Sequence, residues 1–221
     1  MKIKLITLFL CFLALTFAAN AQDKPSVKPT PKPLPVKSAE STRLAKEYEE
    51  LVAKLKQGDT SIDFKKLRLA FTETKEFSPY GGSESRELMN DALAKKDFKE
   101  ALKLANERLK NYYVDIDAHF TAMIANLELK REKEAGFHRN VVRGLLDSIL
   151  DGADGKTAKT AYFVISIREE YFVMSYNGYR VAGQALKMLD GHTYDVLSGT
   201  NPDTKETAEV YFNIDKVFGR F

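Results

Sequence analysis

Asp63-Phe64-Lys65-Lys66-Leu67 recurs 34 residues later as Asp97-Phe98-Lys99-Glu100-Ala101, and this pair of stretches decides how the first two thirds of the chain are read. In each, an aspartate able to cap a helix precedes an aromatic residue, and apolar residues follow at helical spacing. After Asp97 the apolar face is Phe98, Ala101, Leu102, Ala105 and Leu109. Working outward, Leu44, Tyr48, Leu51, Val52 and Leu55 make an earlier stripe that Gly58 can stop. Ile116, Phe120, Ile124 and Leu127 form a later one, and Val142, Leu145, Leu146 and Ile149 the last. Six helices in three pairs are expected: 41–57 with 63–75, 84–95 with 97–112, and 116–130 with 133–150. Ser78-Pro79-Tyr80-Gly81-Gly82 breaks the chain after the first pair.

A further step of 34 takes Ala101 to Ala135, and over Ser41 to Leu150 the chain resembles the tetratricopeptide repeat. The resemblance implies antiparallel helix pairs stacked so that small residues allow close approach, with a concave face on one side. The aromatic and proline positions of that repeat are mostly absent. A non-repeating helical bundle is the alternative reading of the same stripes.

After Gly152 the composition changes. Ala161 to Ile167 is β-branched and aromatic, and a helix or second strand follows over Glu169 to Tyr176 before Asn177-Gly178. Gln184 to Leu189, the turn Asp190-Gly191, His192 to Ser198, the turn Asn201-Pro202-Asp203, and Glu206 to Ile214 then read as a three-stranded antiparallel meander. A small meander is marginal alone, so one face should pack on the helices. The fold class expected is α+β, with a helical region over 39–151 and a β-rich region over 152–221.

The N-terminus has its own logic. Met1-Lys2-Ile3-Lys4, an uncharged run from Leu5 to Ala21 and the ending Ala19-Asn20-Ala21 make the pattern of a secretory signal, with cleavage expected after Ala21. The apolar run is shorter than the roughly 20 residues a spanning helix needs. The sole cysteine, Cys11, lies inside this segment, so the mature chain has no disulfide and no cysteine nucleophile. Pro25, Pro29, Pro31, Pro33 and Pro35, with Lys24, Lys28, Lys32 and Lys37 between them, make 22–38 an extended linker: a spacer, or a leader left after processing. Without Lys2 and Lys4 the chain keeps 32 basic against 31 acidic residues, which argues against nucleic acid as a partner.

Ile167-Arg168-Glu169-Glu170-Tyr171, Gln184, Asp190-Gly191-His192-Thr193-Tyr194-Asp195 and the ending Val210 to Phe218 resemble an uncharacterised domain-of-unknown-function family of exported Gram-negative proteins. Leu67 to Thr74 and Pro79-Tyr80-Gly81 extend the likeness over nearly the whole mature chain. The resemblance implies helices first and a small β region last, and carries no catalytic residues over.

Little in the chain carries recognisable chemistry. Gly155-Lys156-Thr157 lacks the glycine a phosphate loop needs where Leu150 stands, and Asp151 to Gly155 has no carboxylate in the bidentate position of a calcium loop. His119, His138 and His192 show no metal-ligand spacing, so no metal and no cofactor is expected. His119 and His138 read as surface or packing residues. His192, just after a hairpin turn, is the weak catalytic candidate, as a general base oriented by Glu170 or Asp215; the competing reading has it capping the turn. Alternation puts His192 and Tyr194 on one face of the strand and Asp195 on the other. The binding candidates are Tyr80, in its Pro/Gly loop, with Arg68 and Tyr194. The leading expectation is a non-catalytic module binding a protein or peptide in the cell envelope, periplasmic or extracellular. The alternatives are a hydrolase built on His192 and a carrier of a small apolar ligand.

Overall fold

Three aspartates start helices. The side-chain carboxylates of Asp63, Asp97 and Asp115 accept from the backbone N–H groups of Lys66, Glu100 and Ala118 at 2.8, 3.0 and 3.0 Å, satisfying donors that a helix start leaves open. The computed structural model describes residues 38–218, all within a unit spanning 37–221; the expected signal peptide and all of the expected linker except Ser38 lie outside the described residues. The helices are α1 (Ala39–Lys56), α2 (Phe64–Phe71), α3 (Ser83–Ala94), α4 (Phe98–Leu109), α5 (Ile116–Glu128) and α6 (Glu132–Leu150). α2 stops four residues short of expectation. The hydroxyls of Thr72 and Thr74 turn back onto the carbonyls of Leu69 and Phe71, competing with the helix ladder, and Phe71 is held in an aromatic cluster with Tyr48, Phe77 and Tyr112.

α3, α4, α5 and α6 pack in succession, and the seam between them is lined by small residues: Ala101, Ala105, Ala118, Ala122 and Ala125 are fully buried. α1 pairs with α2, and α2 lies against α6 instead of stacking chiefly on α3. Gly144 of α6 makes this possible, because a Cβ there would stand 2.2 Å from the Phe64 ring. The first helix pair therefore folds onto the last.

After α6 come β1 (Tyr162–Phe163), α7 (Ile167–Tyr176), β2 (Arg180–Leu189), β3 (His192–Thr200), β4 (Thr207–Asn213) and α8 (Asp215–Phe218). β2, β3 and β4 form the expected antiparallel meander, closed between β2 and β3 by a two-residue turn in which Asp190 and Gly191 both have positive φ, 52° and 79°. The strand expected over 161–167 is only two residues long. β1 pairs parallel to β4, so the sheet is mixed, in the order β1-β4-β3-β2; Val164 N–H still bonds to the Asn213 carbonyl at 3.2 Å, and Ile165 leaves the sheet for the core. The segment 169–176 is helical. Leu197, Val210 and Phe212 join Val173 and Met174 of α7 in the main core, which also takes in α1, α2 and α6. The helices and the small sheet thus form an α+β body.

Candidate functional site

Two adjacent glutamates in the first turn of α7 have different fates. Glu169 is bound by Arg68: Nε and Nη2 donate at 2.8 and 2.6 Å, and the Ile165 N–H adds a third bond at 2.9 Å. Arg68 also donates to the carbonyls of Ser148 and Phe163, tying α2 to α6, β1 and α7. Arg68 was expected at a binding surface; it is 1% exposed and its guanidinium is already fully engaged. Removing one partner of such a buried pair leaves an uncompensated charge.

Glu170 is fully buried, and among the described residues no N–H or hydroxyl group donates a hydrogen bond to either of its oxygens. Its polar neighbour is the carboxyl of Asp195, on the helix-facing side of β3, which itself accepts from Gln184 Nε2 at 2.6 Å. Two carboxyls in this position share one proton. Burial first, then the charges of Asp195 and Glu169, push Glu170 up to about 9, and burial raises Asp195 as well. At neutral pH Glu170 is the protonated member and donates to Asp195.

His192 lies on the opposite face of the sheet. Its Nδ1 is 2.6 Å from Asp215 Oδ2, while Asp215 Oδ1 accepts from the Thr193 N–H at 2.8 Å. Partial burial opposes ionisation of Asp215, but the bonds from Thr193, His192 and Asn213 outweigh it and hold the carboxyl below its usual range. Of the two carboxylates expected as alternative partners of His192, the structure brings Asp215 to it and not Glu170. His192 meets Asp215 at the surface, and Glu170 is sealed away with Asp195. Tyr194 is also buried, 6% exposed.

Tyr80 is presented differently. Its side chain is 47% exposed on a loop fixed at several points. Gly81 N–H bonds to the Ser78 carbonyl, Ile167 N–H bonds to the Pro79 carbonyl, and Gly82 has φ 98° with Arg108 filling the space a Cβ would need. Arg108 stacks on Tyr112 at 3.5 Å and binds Asp115 at 2.7 Å. Burial, then the charges of Asp195 and Glu170, raise the Tyr80 phenol. Behind the loop a cavity of about 30 Å³, lined by Ser78, Arg108, Ser166 and Arg168, is large enough for water. Arg168 and Arg86 flank Asp117 at 3.4 and 3.6 Å, and burial with the nearby Asp115 pushes Asp117 up to about 6.

Two further histidines pair inside the helical region, where Nδ1 of His119 and Nδ1 of His138 are 2.9 Å apart. His119 Nε2–H donates to the Tyr113 carbonyl, so its Nδ1 must accept from His138, and both rings are neutral. Among the described residues no group of three or more His, Cys, Asp or Glu side chains is placed to hold a metal, and no helix is long and apolar enough to cross a membrane.

The family described as a domain of unknown function (DUF4919) matches residues 37–220. The chain belongs to that family. Nothing among curated proteins or solved structures matches it. In this DUF4919 chain, the sequence reading missed Glu169 and Asp195 as site residues. Asp195 had a signal: it alternates with Thr193 and Leu197, so it occupies a core-facing position where a carboxylate requires a partner.

Proposed function

We propose that the chain is an exported, non-catalytic binding module of the bacterial cell envelope, periplasmic or extracellular, that engages a protein or peptide partner through the Tyr80 loop. The observation that carries this reading is an exposed aromatic side chain on a loop clamped by α4 and α7. An anchor held in place before binding loses little conformational entropy on contact, and tyrosine is enriched among residues that dominate interfaces. The N-terminal pattern ending at Ala21 supports export. A photo-crosslinking residue substituted for Tyr80 should give one discrete adduct in the native envelope. Wild-type chain should compete it away and the Tyr80→Ala variant should not. An adduct pattern the same as that from a probe at Lys99 would defeat the reading.

The second reading is a hydrolase with His192 as base, favoured by the 2.6 Å contact that would orient its ring on Asp215. His192→Ala should then abolish turnover of chromogenic ester probes, and absence of turnover in the wild type removes this reading.

A further inference from the structure

Among the described residues β2 is the outermost strand of the sheet and runs for ten residues, so one side of its backbone has no strand there to pair with. Exposed strand edges are normally protected by proline, by charges directed outward or by a covering element, because they pair readily with other chains. β2 contains no proline. Between Val181 and Leu189 its one charge is Lys187, and that amine is drawn across the sheet onto the Tyr211 hydroxyl at 3.0 Å. Leu186, Met188 and Leu189 are 54%, 71% and 41% exposed. Such an edge accepts an extended strand, and the sequence of β2 indicates which one.

We propose that two copies of this chain pair antiparallel along β2, about a two-fold axis at Ala185, and join their sheets into one. Directly opposed residues in an antiparallel pair share a face, so a strand pairing with itself must pivot on a residue and not between two. A pivot at Ala185 puts a small side chain on the axis. It sets Leu186 against Gln184 of the second copy and Lys187 against Gly183, which keeps like charges apart. At each end it brings Arg180 to the hairpin turn of the other copy. The irregular register between Val181 and Gly183 shifts Arg180 opposite either Leu189 or Asp190, and its long side chain reaches the Asp190 carboxylate from both. Within one chain these two residues stand at opposite ends of β2, about 30 Å apart at roughly 3.3 Å per residue. Neither side chain has a hydrogen-bond or ion-pair partner among the described residues. A pivot at Gln184 would instead leave Asp190 beyond the paired strand. The charge complementarity therefore appears only between copies, and it appears twice by symmetry. This inference is independent of the Tyr80 reading.

Sedimentation velocity on the full chain tests it. The wild type should be dimeric. Arg180→Glu and Asp190→Lys should each weaken dimerisation at least tenfold, since each places like charges at both ends of the pairing. An equimolar mixture of the two variants should recover the dimer, because in the mixed pair every altered end meets a residue of opposite charge. Circular dichroism separates this from misfolding, and Asp190→Asn, which still tolerates the turn conformation, should weaken the dimer without that risk. In a Cys11→Ser background, Ala185→Cys should form an inter-copy disulfide under mild oxidation, because opposed Cα atoms in antiparallel strands lie about 4.5–5.5 Å apart; Leu189→Cys should not. A wild type that stays monomeric at the highest attainable concentration overturns the proposal. So do single variants that dimerise as well as the wild type, or a mixture that fails to recover.

Discussion

Alanine in place of glycine inside a helix ordinarily stabilises it by about 1 kcal/mol, and α6 contains two glycines at which this rule should give opposite results. A Cβ on Gly144 would stand 2.2, 2.3 and 2.7 Å from three atoms of the Phe64 ring, so the rigid ring would have to retreat by about 1 Å to reach ordinary contact. It has little freedom to do so. Phe64 is the first residue of α2, directly after the Asp63 cap, and α2 is tied to α6, β1 and α7 through Arg68. Overpacking of this kind costs about 1–3 kcal/mol. Set against the propensity gain, Gly144→Ala should be destabilising by up to about 2 kcal/mol, which lowers Tm by up to roughly 8 °C in a chain of this size. Gly136 is the control, because a Cβ there meets nothing within 4 Å. Gly136→Ala should raise Tm by a few degrees. Thermal and urea unfolding followed by circular dichroism would measure both. If Gly144→Ala stabilised as much as Gly136→Ala, the packing of α2 on α6 through this glycine would be refuted.

Glu170 keeps its proton in the folded state up to about pH 9 but loses it near 4.5 when unfolded, so between those values the unfolded state binds fewer protons and stability falls as pH rises, by up to about 1.4 kcal/mol per pH unit. Glu170→Gln, which keeps a donor toward Asp195, should flatten that slope between pH 5 and 9 in urea titrations; an unchanged slope would contradict the shared proton. The histidine pair acts on the other side. Burial first, then the neighbouring ring, lowers His119 to about 3, and burial lowers His138 to about 4, so the stability these neutral rings contribute is full above pH 6.5 and is lost as pH falls toward 4. His138→Asn should make the urea midpoint drop less between pH 7 and pH 4.5 than it does in the wild type, and an identical drop would remove the pair as a cause of acid sensitivity.

Local rules located the helices because the signals are local. Asp63, Asp97 and Asp115 are each within three residues of the N–H they cap, and the alanines at Ala101, Ala105 and Ala135 are buried where close packing needs small side chains. The partners of those helices were not legible in the same way. α2 turns to α6 because of Gly144 and of an ion pair between Arg68 and Glu169, residues 101 positions apart, and a 34-residue period carries no information about either. The β hairpin was legible from Asp190-Gly191. The shortening of β1 was not, since Ile165 suits a strand but is drawn into the core, where its N–H binds the Glu169 carboxylate instead of a neighbouring strand.

The candidate site turned on one undecided element. While 169–176 could be helix or strand, Glu170 could be placed with any acid or histidine of the β region, and His192 was the obvious choice. As a helix, α7 separates neighbouring side chains by about 100°, so Glu169 and Glu170 point to different walls of the core. One meets Arg68 and the other meets β3. Strand alternation then decides which β3 residue it meets, because Asp195 faces the helices and His192 does not. The sheet itself thus stands between His192 and Glu170, and no side-chain rotation brings them together. A base at His192 can be oriented only by Asp215, and that carboxylate is also engaged by the Thr193 N–H and by Asn213. The acid pair, closed to solvent, joins α7 to β3. With Glu170 0% and Asp195 4% exposed, their contact is a joint between helix and sheet inside the core, on the other side of β3 from the surface where His192 meets Asp215.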